Sequence, residues 1–402
     1  MTASSPAFNS ALLRSDTAHG WDAKRRTWTS APLSPGFDAD QVVASWNLTP
    51  ASGALIEVSA ADAHGMWGPW LALARWDALD GATRTSTAAG DGADATTGWD
   101  AEELDAGPAT VETDVLTARP GQAITAARLR ITLNEPANLS ADNEALTLAA
   151  LHFSAPDPAA AVAREATDPT TGVGQEETPL PGAADAANPI TGARQEEALT
   201  GATTAVRPLS QRQHKPRTDL GGGGSVWCSP TSLAMVMDAW GVEVPAEMPR
   251  TDVPPTEGDP RVPWTAAHVF DPAFAGTGNW SFNAALAGHL GLDAVVTRLG
   301  SLADLGTLTC AGFPVICSVA FNQEDMPGAD YSTAGHLLVA LGLDADGNVR
   351  VSDPACTTPE EGLRTYPAGA FDAAWATSRR TVYLLGLRGA ALPQASEGSR
   401  AW

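Results

Sequence analysis

Between Phe153 and Trp227 the chain has no aromatic residue. A stretch of that length without Phe, Tyr or Trp lacks the large side chains that make a core, so the 402 residues do not form one continuous domain. Within it, residues 156–208 are dominated by Ala, Pro, Thr, Gly and Glu. Asp168-Pro169-Thr170-Thr171-Gly172 is echoed by Asn188-Pro189-Ile190-Thr191-Gly192, and each copy ends in Gln-Glu-Glu. Two copies are too few for a solenoid, and the composition predicts a disordered linker. The expected division is a Trp-rich domain over 1–155, the linker over 156–208, a second domain over 209–390 and a tail over 391–402.

Before the linker, the pattern is that of short strands: Gln41 to Asn47, Leu55 to Val58, Trp70 to Trp76, Thr110 to Leu116, Ala127 to Leu133 and Leu146 to Phe153. Separated by Gly, Pro, Asn and Asp, they predict an antiparallel β-sandwich. Seven of the 13 Trp residues lie here, at 21, 28, 46, 67, 70, 76 and 99. They either fill the core, as large aromatics do, or line a face that binds carbohydrate. After the linker the pattern changes to helices over 228–240 and 281–290 and strands over 315–321, 336–343, 349–352 and 382–387, an α+β arrangement.

Charge and motif content remove several functions. The net charge of −23, from 24 basic and 47 acidic residues, argues against nucleic acid as a partner. The two lysines, Lys24 and Lys215, stand outside any Gly-rich loop followed by Ser or Thr, so no P-loop exists. No apolar run reaches membrane-spanning length. Met1 to Ser10 lacks a basic opening and an apolar run, so the expected location of the chain as written is cytoplasmic. Cys228, Cys310, Cys317 and Cys356 include no Cys-x-x-Cys pair, and neither a disulfide framework, a metal nor another cofactor is expected.

The chemistry concentrates around one cysteine. Gly221-Gly222-Gly223-Gly224 reads as a flexible lead into a helix that starts near Cys228, carries Pro230 in its first turn and ends at Gly241. At a helix N-terminus the dipole favours thiolate over thiol, which a cysteine nucleophile needs; the alternative is a buried, inert thiol. Among seven histidines, His336 stands at the mouth of an apolar strand directly after Gly335, where a missing side chain lets substrate or thiol come close. Asp344-Ala345-Asp346-Gly347 is a turn signal, and Asn348 to Pro354 returns as the partner strand. With a four-residue loop Leu343 pairs with Asn348 and Asp353 falls opposite Leu338. His336 and Asp353 are then diagonal neighbours on one face, about 7–8 Å apart at Cα. Thiol, imidazole and carboxylate together are the triad of a cysteine hydrolase.

Trp-Cys-Ser-Pro-Thr-Ser at 227–232, Gly-His-Leu-Leu-Val at 335–339 and Ser-Asp-Pro-Ala at 352–355 resemble the papain-fold cysteine peptidases related to bacteriocin-processing, double-glycine leader peptidases. The closer likeness is to the stand-alone actinobacterial branch of this thirty-ninth cysteine peptidase family, over residues 209–388. The preceding Trp-rich region resembles the N-terminal part joined to that branch. The resemblance implies Cys228 as nucleophile, His336 as general base and acid, and Asp353 as its orienting group. It also implies an upstream Gln at the oxyanion hole, for which Gln211 fits best and Gln213 is the alternative. Trp227, Asn279, Trp280 and Gly335 are the expected substrate-side residues. The chain lacks the membrane spans and ATPase of transporter-linked members, so cleavage after a double-glycine leader is not carried over. Members of this branch tend to be secreted.

The expected activity is hydrolysis of peptide bonds in a peptide or protein substrate through an acyl-thioester, by a monomer. The rivals are a cell-wall amidase or acyltransferase with the same triad, and a cell-wall glycan-binding protein in which the papain-like domain is incidental.

Overall fold

The computed structural model of the chain describes residues 9–49 without 23 and 25, 53–87 without 82, and 107–134, 145–156, 205–244, 257–395 and 399–402. Trp99 and the stretch read as a linker lie outside these residues, apart from 156 and 205–208.

Among the described residues, the N-terminal region is all β. Its strands are β1 (Ser10–Arg14), β2 (Trp21–Asp22), β3 (Thr27–Thr29), β4 (Gln41–Leu48), β5 (Ala54–Ala61), β6 (Leu71–Trp76), β7 (Thr85–Ser86), β8 (Ala109–Glu112), β9 (Val115–Ala118), β10 (Ala126–Leu133) and β11 (Leu146–Ser154). They form two antiparallel sheets, ordered β1-β11-β4-β9-β8 and β2-β3-β10-β5-β6-β7. The alternation seen in β10 has the expected cause: Ala127, Leu129, Ile131 and Leu133 are buried, while Arg128, Arg130 and Thr132 are half-buried on the opposite face. The run 110–116 splits into β8 and β9, because Thr113 takes positive φ and turns the chain.

The Trp residues divide between two roles. Trp28, Trp46 and Trp76 are core. Trp67 and Trp70 flank the Arg128 guanidinium, 4.4 and 4.6 Å from the ring centroids, and Arg130 lies 4.3 Å from Trp70 while pairing with Glu57.

Among the described residues, the C-terminal region mixes helices and one sheet. Its elements are α1 (Cys228–Ala239), α2 (Arg261–Val269), α3 (Trp280–His289), β12 (Leu292–Arg298), α4 (Leu302–Cys310), β13 (Val315–Phe321), β14 (Thr333–Leu343), β15 (Val349–Ser352), β16 (Leu363–Tyr366), α5 (Ala368–Ala376) and β17 (Thr381–Leu387). The antiparallel sheet runs β12-β17-β13-β14-β15-β16. No helix among the described residues is long and apolar enough to cross a membrane.

The two regions share a core. Helix α3 is apolar nearly all round, with Ala284, Ala285, Leu286, Ala287 and Gly288 fully buried, so it is covered on both sides. One side packs on β4, and Phe282 joins Trp46 and Trp76 with ring centroids 6.4 and 5.1 Å away. The other side meets α1 and β12.

Strand β12 is the edge of its sheet, yet its outward backbone groups are occupied by side chains of the all-β region. The Asn47 amide donates to Ala294 O (2.9 Å) and accepts from Ala294 N (3.0 Å). Ser45 Oγ accepts from Val296 N at 2.9 Å, and Ser10 Oγ donates to Arg298 O at 3.2 Å. Such capping removes the exposed pairing groups that make an edge strand prone to self-association. Residues 400–402, expected to form a tail, are instead packed at this junction: Leu12 N donates to Arg400 O, and Thr297 Oγ1 to Ala401 O.

Candidate active site

Cys228 opens α1. The helix ends as its sequence predicts: Gly241 has φ 74°, its N–H bonds Asp238 O, and Val242 N–H bonds Met237 O, the paired bonds of a Schellman cap. The lead into the helix differs from the expected flexible segment. Leu220, Gly221, Gly222 and Gly223 all have positive φ, and a Cβ at Gly223 would lie 1.8 Å from Arg217 O, one at Gly224 2.2 Å from the carbonyl carbon of His214. These glycines are needed for backbone conformation and close approach, and they hold the chain in one path up to Cys228.

His336 lies on β14 and Asp353 just beyond β15. Leu343 pairs with Val349, one residue away from the expected Asn348; a bulge between Ala340 and Gly342 takes up the difference, so Val339 faces Ser352. The two shifts cancel, and at the site the expected register is reached. His336 Nε2 donates to Asp353 Oδ1 at 2.9 Å, and the Cys228 side chain interacts with the same ring. All three side chains are almost completely buried, with Cys228 3% and His336 2% exposed.

Asp353 accepts four hydrogen bonds. Oδ1 takes His336 Nε2–H and Ala355 N–H (2.9 Å), and Oδ2 takes the hydroxyls of Tyr331 (2.8 Å) and Tyr366 (2.7 Å). Burial alone would raise its pKa, but the charges of His336 and Arg364 and the bond from Tyr366 hold it below the usual carboxylate range. For His336, burial acts to lower the value, and Asp353 and Cys228 together override it to push the imidazole up to about 10. The ring therefore carries a proton at neutral pH, next to the sulfur.

Neither Tyr331 nor Tyr366 was singled out from the sequence. The chain has only three tyrosines, and all border this site: Tyr383 on β17 shares a 2.9 Å hydrogen bond with Ser229, next to Cys228.

The other predicted positions fall into three groups. Gln211 is buried between two parts of the site. Its backbone N–H bonds Pro354 O and its side-chain amide donates to Ser225 O at 2.8 Å; Gln213 is half-buried in the helical turn that follows. Gly335 adjoins His336 and is half-buried. Trp227, Asn279 and Trp280 are turned to structural use. Trp227 is fully buried with its indole on Leu220 O, and Asn279 caps α3 through Phe282 N while bonding Asp271. Trp280 N–H is held by Asp114 of the β8–β9 turn, which ties the start of α3 to the all-β region.

Residues 203–383 match the sequence model of the Peptidase_C39-like family, and residues 12–152 match that of the peptidase C39 N-terminal domain. The C-terminal region belongs to the C39-like peptidases. It follows a C39 N-terminal domain of the type found with actinobacterial members, the all-β region described above. Among solved structures, a C39-like peptidase from Bacillus anthracis aligns with 18% identity and a TM-score of 0.29, over 46% of this chain and 96% of its own length. No curated protein matches the chain.

Proposed function

We propose that this C39-like protein is a cysteine peptidase that cleaves peptide bonds through Cys228, His336 and Asp353. The observation that carries the reading is the buried chain of contacts from the Cys228 thiol through the His336 ring to Asp353. The protonated imidazole stabilises a thiolate beside it, and this sulfur attacks the substrate carbonyl carbon. The Cys228 backbone N–H and the Gln211 amide are the groups suited to hold the oxyanion. His336 passes its proton to the departing amine nitrogen as the C–N bond breaks, leaving an acyl-thioester. It then takes a proton from water, whose oxygen attacks that thioester, and the regenerated thiol leaves the acid product. Asp353 keeps the ring in the orientation and tautomer that both transfers need.

The glycan-binding alternative is weakened by the fate of the Trp residues. Trp28, Trp46 and Trp76 are core, and Trp67 and Trp70 already stack on guanidinium groups. A peptide library supplemented with muropeptides tests the activity: hydrolysis that disappears in Cys228→Ala supports the proposal, and unchanged turnover in that variant overturns it. Cleavage confined to muropeptides would select the cell-wall amidase.

A further inference from the structure

We propose that Tyr331 and Tyr366 are positioning residues of the triad, their two hydroxyls fixing the Asp353 carboxylate so that Oδ1 alone is presented to His336. This rests on reading Cys228, His336 and Asp353 as the reacting groups.

The two phenols reach Asp353 Oδ2 from separate elements, Tyr331 from the loop before β14 and Tyr366 from the end of β16. With His336 N–H and Ala355 N–H on the other oxygen, four donors meet the roughly four lone-pair sites of a carboxylate. Rotation of the group would break all four bonds at once inside a buried site. The two arms are themselves joined, because Arg364 on β16 pairs with Asp330, the neighbour of Tyr331, at 2.8 Å. Tyr331 also stands edge-on to the His336 ring, with centroids 5.4 Å apart and planes at 70°, which limits tilting of the imidazole. Burial, with the charge of Asp353 adding to it, holds both phenols far above their usual pKa, so they remain donors wherever the enzyme is folded. An Asn at 353 has one acceptor oxygen and would strand part of this donor set.

The groups facing His336 and its partner are Cys228 from α1, Asp353 beyond β15, Tyr366 and Arg364 from β16, and Tyr331 from the preceding loop. Arg212 lies over the Tyr331 ring at 5.7 Å, and Tyr383 of β17 interacts with Cys228. Removing the phenol donors leaves more negative charge on Oδ1. His336 then holds its proton to higher pH, and the freed carboxylate lets the ring wander.

The test is alkylation of Cys228 by iodoacetamide across pH in the full-length protein, read by mass spectrometry of the Cys228 peptide, with exposed Cys310 as internal reference. Wild type, Tyr331→Phe, Tyr366→Phe, the double variant and His336→Ala are compared. The alkaline limb of the double variant is expected to move up by roughly one pH unit, and each single variant by less. The single variants also carry an NMR readout, a shifted His336 Nε2–H resonance, should the double variant fail to fold. An alkaline limb and a resonance that stay at their wild-type positions in folded Tyr variants, while His336→Ala alters the profile, overturn the clamp alone. A wild-type profile in His336→Ala overturns the triad reading, and the clamp with it.

Discussion

Ser232, one helical turn after Cys228, donates its hydroxyl to the carbonyl of Leu337, the residue after His336, at 2.9 Å. This buried bond ties the helix that opens with Cys228 to the strand that carries His336. Ser232→Ala leaves the Leu337 carbonyl without that donor, and a stability loss of about 1–3 kcal/mol is expected. Activity is expected to fall further than stability alone explains, through a lower kcat with unchanged KM. Denaturant melts alongside steady-state kinetics check both, and a Ser232→Ala enzyme with wild-type kcat would show that the tie is not needed for alignment.

Gly223 and Gly241 make a paired test of the lead into α1 against its exit. Both have positive φ, 71° and 74°, but a Cβ at Gly241 meets nothing within 4 Å, whereas one at Gly223 meets Arg217 O at 1.8 Å. Gly241→Ala is expected to cost only the backbone term, about 1–2 kcal/mol, and to keep activity. Gly223→Ala must displace the chain that delivers Cys228, so more than a tenfold loss of Cys228 alkylation rate is expected. Equal behaviour of the two variants would contradict the constrained path.

The pH dependence of stability follows from signs. The folded-state value of His336 is raised from 6.5 to about 10, so its contribution is complete below pH 6.5 and is lost as pH rises through 10. Asp114, the half-buried carboxylate on Trp280 N–H, is raised by desolvation from 3.8 to about 6, so the folded protein binds its proton more readily than the unfolded chain and stability declines between those values. Asp353 is lowered, and its contribution disappears as pH falls below 3.8. Melting temperature is therefore expected to peak at mildly acid pH and to slide on the alkaline side. His336→Ala should flatten the slide above pH 6.5, and a slide identical to wild type would contradict the coupling.

Asn47 satisfies both backbone groups of Ala294 with one side chain. Asn47→Ala leaves two buried groups without those partners, at about 1–3 kcal/mol each. Asn47→Asp keeps the acceptor but sets a carboxylate against Ala294 O, and is expected to be worse. Gly288→Ala should resemble them, because its Cβ would lie 2.4 Å from the Asn47 side chain. Chemical denaturation of the three variants gives the comparison; wild-type stability in Asn47→Ala would remove the capping role.

The legibility of this site tracks how local each signal is. Cys228 was readable because a helix start is marked by its neighbours, Pro230 within and Gly241 at the end. Placing Asp353 near His336 needed only a residue count around a hairpin, although the count reached the right register through two deviations that cancel at the bulge beside Gly342. Tyr331 and Tyr366 were not legible, since their meeting on Asp353 depends on a loop and a strand whose separation in space no pattern encodes. The glycine run misled for a related reason: its constraint comes from Arg217, His214 and Ala275, which a composition-based reading treats as distant or absent. Asn279 and Trp280 looked like cleft residues until the all-β region supplied Asp114 as their neighbour.

The capping of β12 by Asn47, Ser45 and Ser10, with residues 400–402 across the same seam, changes what the chain connection between the two regions is for. Two bodies that complete each other's hydrogen bonds and share α3 as common core do not depend on a covalent tether to stay together. A chain cut between 157 and 204 is therefore expected to remain a single particle through gel filtration, while a peptidase region expressed from residue 205 onward would present a bare strand to the nearest copy of itself.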